Sequence, residues 1–327
     1  MGTASDRYAG WVGQIYSAEG YYGRIGQRTK VVGEQTFTEK VLPVDSVVEF
    51  FEHFPVLEID FTFYRPLLDK DGQTTQNFRV LKAYQRHLQH GDSLLLKVPQ
   101  VITAPKLRRG GTYQDNPDYL DADAFTQQFY EPAIDLLGPA VAGFIFEQEY
   151  LRKQDRAPVT KMAAALDAFF QKIPKDNRYH LELRTDLYLR EPVFEVLVRH
   201  GVGQVLSHWT WLPPLRKQLA KAGGRFFNAG GLSVIRLLTP LGMRYEDSYI
   251  KAFPFDKLVE GMLRPEMILE TVDLMWQAVN QGLLVNIIIN NRAGGNAPLI
   301  AQLIAEKFLQ KLAPAPKPKR QLSFWDI

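Results

Sequence analysis

The stretch LLVNIIINNRAGGNAPLIAQLIAEKFLQKL (283–312) decides the fold class. Its first part, LLVNIII (283–289), is a continuous apolar run rich in β-branched residues. That is the pattern of a parallel strand covered on both faces. A polar turn with two glycines follows, then apolar residues at helical spacing over 296–312, with Asn296 as a candidate cap. Strand, loop and helix in that order is one unit of an α/β fold.

The unit recurs along the chain. Apolar runs predict strands at 8–12, 56–64, 93–99, 141–148, 180–185, 204–209, 233–239 and 284–291. Helical patterns lie between them, at 44–54, 78–91, 121–138, 159–174, 190–201, 214–223 and 265–282. Gly91 is expected just past the end of the second helix, and Pro132 is expected to kink or split the third. Several helices start at proline and stop at glycine, the usual asymmetry. Eight strands, each followed by a helix, predict a (β/α)8 TIM-type barrel, with a doubly wound open sheet as the alternative. The irregular stretches 13–43 and 100–120 read as long loops after strands one and three, on the face that carries the active site in this fold.

The chain of 327 residues divides into a barrel over 1–312 and a Pro/Lys-rich tail over 313–327. Hydrophobic residues make up 46% and charged residues 23%, an ordinary globular balance. A net charge of +3 is too small to indicate nucleic-acid binding. There is no cysteine, which excludes disulfides, thiolate metal sites and a cysteine nucleophile and fits a cytoplasmic, reducing compartment. The first 25 residues lack the apolar core of a secretory signal, and no apolar run is long enough to span a bilayer.

Polar residues at the C-terminal ends of barrel strands are the candidates for chemistry. Glu58, Asp60, Thr62 and Tyr64 share one parity at the end of strand two. Lys97 ends strand three, Glu147 ends strand four, and Glu182 and Arg184 share a face of strand five. His208 and Trp209 end strand six, Arg236 lies in strand seven, and Asn290 and Asn291 end strand eight. Two readings compete. The ionised groups form a structural ion network that plugs the barrel. Alternatively they form a pocket in which Glu58, Asp60, Glu147, Glu182 or His208 moves protons and Lys97, Arg184 and Arg236 hold an anion. Gly294, Gly295 and Asn296, at the start of the last helix, are expected to cradle a phosphate or carboxylate, or else to be a plain turn and cap. The six histidines show no metal-ligand spacing, so no cofactor is expected; His208 with Glu147, Glu182 or Asp60 is the one donor set for a divalent cation. Trp11, Tyr16, Tyr21 and Tyr22 read as aromatic loop packing, with stacking on a sugar or base as the alternative.

The tail ends in QLSFW (321–325). The segment resembles the short peptide with which proteins engage the bacterial sliding clamp: Gln321, Leu322 and Ser323 match it, while Phe324 and Trp325 replace its Leu and Phe, so a clamp-type protein is a candidate partner and a tail that packs back on the barrel the alternative.

Successive landmarks, LEIDFTFY (57–64), LKVPQVITAP (96–105), HLELRT (180–185), VIRLL (234–238), RYEDSYIKAFPFDKL (244–258) and VNIIINNRAGGNAPLIAQLI (285–304), resemble those of the YecE-like family, a domain of unknown function. AGW (9–11) resembles its Gly-Trp opening. The resemblance implies a single TIM-type barrel and marks Glu58, Tyr64, Lys97, Glu182, Arg184, Arg236, Tyr249, Asn290 and Asn291 as matching positions. It also marks two departures, Thr185 and Leu237–Leu238, where relatives tend to carry histidine. Three functions stay open: hydrolysis or isomerisation of a small anionic, phosphorylated or sugar-like ligand; a non-catalytic adaptor; and a metal-dependent phosphodiester nuclease.

Overall fold

The computed structural model describes residues 1–312. Eight parallel strands close into a barrel in chain order. They are β1 (Gly2–Ala4), β2 (Val56–Ile59), β3 (Ser93–Lys97), β4 (Val141–Gln148), β5 (Tyr179–Leu183), β6 (Gly203–His208), β7 (Leu232–Leu237) and β8 (Leu284–Ile289). β1 closes the ring by pairing with both β2 and β8.

The helices of seven residues or more pack outside the barrel, except Tyr245–Ala252, which packs against the strand Gly26–Val32 and the turn Asn291–Ala293. They are α1 (Val47–His53), α2 (Gln76–Gln85), α3 (Glu131–Leu137), α4 (Val159–Lys172), α5 (Glu191–His200), α6 (Leu215–Lys221), α7 (Tyr245–Ala252), α8 (Pro265–Asn280) and α9 (Ala297–Leu312). α5 shows why the ends fall where they do: Pro192 sits in its first turn and Gly201 leaves it in the left-handed region, φ 65°. Pro132 acts in the same way. The segment before it is a short helix, Ala122–Phe125, and a π turn, Thr126–Tyr130, so α3 begins afresh at Glu131.

Three expectations change. The first strand is Gly2–Ala4, not 8–12, where Ala9–Trp11 forms a 3-10 turn. Three small residues carry no hydrophobic signal, whereas the apolar run beside them does. The two long loops are not irregular throughout: each carries an antiparallel hairpin, Gly26–Val32 with Gln35–Val41 and Lys106–Arg109 with Thr112–Asp115. α2 ends at Gln85, and Gly91, φ 102°, lies in the turn into β3 instead of at the helix end.

Two layers of core follow from strand alternation. Outward-facing residues pack under the helices, with Trp11, Tyr16 and Tyr21 buried beside them and Tyr22 exposed. Inward-facing Val56, Leu95, Ile145, Val205, Val234 and Ile288 fill the barrel. Two residues further along six of these strands stand Glu58, Lys97, Glu147, Ser207, Arg236 and Asn290, all buried. The apolar interior therefore gives way to polar side chains at the C-terminal end.

Candidate functional site

Arg236 lies in the centre of the polar layer. Its Nε and Nη2 donate to Glu58 at 2.7 and 2.6 Å, a parallel pair of bonds. Its Nη1 reaches Glu182 and, at 3.5 Å, Glu147. Lys97 Nζ is 2.6 Å from Glu147 Oε2, and Arg184 Nη1 is 2.8 Å from Glu147 Oε1. Arg184 also approaches Glu182 at 3.4 Å, and Ser207 donates its hydroxyl to the same carboxylate. Burial opposes charge at Glu58, where it prevails over Arg236 and Lys97 and raises the pKa, and at Glu147 and Arg236, where it does not. At Glu147 the surrounding Arg184, Lys97 and Arg236 outweigh it and bring the carboxyl down to about 2. Burial likewise opposes the charge of Arg236, and Glu182, Glu58 and Glu147 overcome it and raise its pKa. Aromatic faces cover the two outer cations: Lys97 lies 3.8 Å from the Phe63 ring and Arg184 5.2 Å from that of Trp209.

Above this floor opens a cavity of about 610 Å³. Of the residues expected at the site, Glu58, Asp60, Tyr64, Lys97, Glu147, Arg184, Arg236 and Asn290 line it. Glu182 lies just beneath, joined to Arg236. Tyr64 is 76% exposed on the rim, outside the strand that was expected to continue to it, in a 3-10 turn, Phe61–Tyr64.

Other expected residues stand elsewhere. His208 does not line the cavity; it is buried, its Nδ1 lies 2.8 Å from the Thr239 carbonyl, and burial lowers its pKa. It alternates with the inward Ser207, so its ring lies on the helix side. Tyr249 is buried in α7 and donates its hydroxyl to Glu39, tying the first hairpin down. Asn291 receives Trp11 Nε1 at 3.2 Å and the amide of Ala297 at 2.8 Å.

The start of α9 is closed to an anion. Asn291 takes the Ala297 amide, residue 298 is proline, the Asn296 side chain takes the Leu299 amide at 2.9 Å, and Ile300 bonds to the Asn296 carbonyl. Asn296 also donates to Gln14 and to the Phe255 carbonyl, each at 2.9 Å. Gly295, φ 110°, is needed because a Cβ there would strike the Lys257 carbonyl, and one at Gly294 would lie 2.9 Å from Leu263. The two glycines let the 257–263 segment lie against the loop.

The divalent-cation set does not assemble. Glu147 and Glu182 are bound by cations and His208 faces away. Among the described residues, no three His, Asp or Glu side chains gather to hold a metal ion. Gln321, Leu322, Phe324 and Trp325 lie outside the described residues. Among these, no helix is long and apolar enough to cross a membrane.

Six charged residues of the cavity were not singled out from sequence: Asp6, Arg7, Arg28, Lys30, Glu149 and Arg292, of which Arg28 and Lys30 pair with Glu39. Asp6 and Arg7 follow the misplaced first strand. Glu149 has the parity of Glu147, so its signal was present in FEQE. Burial raises its pKa, and Gln100 donates to it at 2.9 Å.

The family model for the protein of unknown function DUF72 matches residues 27–322. The chain belongs to the DUF72 family. The YecE-like resemblance is thus shown at the level of a family of unknown function. A DUF72 protein from Enterococcus faecalis V583 is similar in structure, with TM-score 0.55 and 14% identity over 85% of this chain and 92% of that one. A DUF72 protein from Thermotoga maritima MSB8 has TM-score 0.54 and 14% identity over 95% and 97%. At that identity the likeness shows the shared barrel alone. No curated protein matches the sequence.

Proposed function

We propose that this DUF72 protein binds a small anionic compound, phosphorylated or sugar-like, in the cavity at the C-terminal mouth of its barrel. One observation carries the reading. Arg7 and Arg292 both face the cavity, and among the described residues neither has a carboxylate partner. Arg7 spends its Nε on the Leu42 carbonyl at 2.5 Å, which leaves its terminal nitrogens. Arg292 lies 4.3 Å from the Tyr245 ring, and its buried Nε has no hydrogen-bond partner. Guanidinium groups of this kind take phosphoryl and carboxylate groups in paired hydrogen bonds.

The floor has a different part. Its charges are engaged with one another, which supports the structural network for Glu58, Glu147 and Glu182 and moves acid–base work to the carboxylates above them, Asp6, Asp60 and Glu149. Hydrolysis or isomerisation suits that set.

The test is a thermal-shift and calorimetric comparison of inorganic phosphate, glucose 6-phosphate and glucose on the full chain. The two phosphates are expected to raise the melting temperature and glucose to do so far less. Arg7→Ala and Arg292→Ala are each expected to weaken phosphate binding by about tenfold or more. Equal response to all three compounds, or none to any, sinks the reading.

A further inference from the structure

Asp6 follows β1 (Gly2–Ala4) and Asp60 follows β2 (Val56–Ile59). Ala4 pairs in register with Glu58, so each aspartate stands two residues past a paired position on neighbouring strands. Such strands run about 4.8 Å apart. Both residues line the cavity. Asp60 has no side-chain hydrogen bond or ion pair among the described residues.

Asp6 is the unusual one. It is 3% exposed. Oδ1 accepts the Tyr84 hydroxyl at 2.8 Å, whereas Oδ2 is buried with no partner. A buried carboxylate oxygen without a donor is costly. A carboxylic acid in the same place has an O–H to give and needs only an acceptor. The groups around it come from three elements. Arg7 is on its own loop, where Tyr16 also donates to the Asp6 carbonyl at 2.8 Å; Tyr84 comes from α2; Asp60 comes from the end of β2. Burial raises the Asp6 pKa, Tyr84 and Arg7 oppose it, and the charge of Asp60 adds to it. The balance moves the group from 3.8 to about 6.

We infer that Asp6 is the residue that carries a proton into this site: its Oδ2–H donates to an oxygen of the bound ligand, so the ligand is an oxyanion, of the phosphoryl or carboxylate kind, taken up together with one proton. This rests on the anion-binding reading above. The cavity supplies the two guanidiniums for the charge, and Asp6 supplies a hydrogen bond that an ionised aspartate would replace with repulsion.

Sulfate is the probe, because its charge is constant between about pH 5 and pH 7.5. Calorimetry on the full chain is expected to show sulfate bound about tenfold or more weakly near pH 7.5 than near pH 5. Asp6→Asn donates from its amide without titrating, so it is expected to bind sulfate equally at both. Carbon-13 NMR of the Asp6 carboxyl in the unaltered protein is expected to show its midpoint rising when sulfate saturates the site. That measurement decides alone if Asp6→Asn does not fold. Binding that ignores pH, a pH dependence that survives in Asp6→Asn, or an unmoved midpoint overturns the proton coupling and leaves the anion reading standing. Absence of sulfate binding at both pH values overturns the anion reading and the coupling with it.

Discussion

Arg236 on β7 and Glu58 on β2 face each other across the barrel and share two parallel hydrogen bonds, of 2.7 and 2.6 Å, with both side chains almost wholly out of water. Removing one member of such a pair leaves the other charge buried and unpaired. Arg236→Ala strands Glu58 and takes one cation from Glu182 and Glu147, which keep Arg184 and, for Glu147, Lys97. It is expected to lower stability to urea unfolding by about 3–5 kcal/mol, the range for a broken buried pair. A loss below about 1 kcal/mol would mean that water or a rearranged cation replaces it.

Glu147 sets a pH window. Its folded pKa lies below the ordinary carboxylate value, moving from 4.5 to about 2, so the unfolded chain takes up the proton first as pH falls. The stability it contributes is complete above about pH 4.5 and lost as pH drops through about 2, up to about 3 kcal/mol. Urea unfolding of Glu147→Gln between about pH 5 and pH 2.5 is expected to show a flatter acid limb than the unaltered chain. An unchanged slope would show that other carboxylates carry the acid response.

Asp6 has the opposite sign. Its folded pKa is raised from 3.8 to about 6, so its ionisation costs stability, with no cost below about pH 3.8 and the full cost above about 6. Asp6→Asn keeps the Tyr84 bond and removes the charge. It is expected to be more stable than the unaltered chain near pH 7.5, by up to about 3 kcal/mol, and about equal near pH 4. Chemical unfolding at the two pH values decides it. A variant that is less stable at both would place Asp6 in a purely structural role.

Asn296 separates scaffold from site. It caps α9 and ties it to Gln14 and to the Phe255 carbonyl, away from the cavity. Asn296→Ala is expected to lose about 2 kcal/mol or more of stability, a cap plus one buried and one part-buried bond, with sulfate affinity unchanged. Weakened binding in a folded variant would return the start of α9 to the site.

The sequence was most informative where the physics is strongest. VAGFIFEQ (141–148) is covered on both faces, and its apolar run matches β4 residue for residue. The sequence put Glu58, Lys97, Glu147 and Arg236 in or at the ends of four different strands; that they share one inner layer comes from the alternation of those strands once the barrel sets their register. β1 was illegible for the converse reason: Gly2, Thr3 and Ala4 gain their strand from pairing with β2 and β8, not from their own hydrophobicity. That error hid Asp6 and Arg7, whose meaning depends on standing just past a strand end. The NNRAGGNAP loop looked like an anion cradle because glycine and asparagine suit both a cradle and a self-capped turn. Only the partners of Asn291 and Asn296 distinguish them.

The polar floor has a consequence for what the cavity selects. Glu58, Glu147 and Glu182 meet Lys97, Arg184 and Arg236, one negative charge for each positive one. From above, such an interlocked layer has almost no monopole, only short-range dipoles that fade within the first shell of a guest molecule. Discrimination by charge therefore falls to the overlying loops, to residues such as Arg7 and Arg292. The strand-borne layer can stay constant while loop substitutions retune the preference, so the stable part of the molecule and its adaptable part are different stretches of chain.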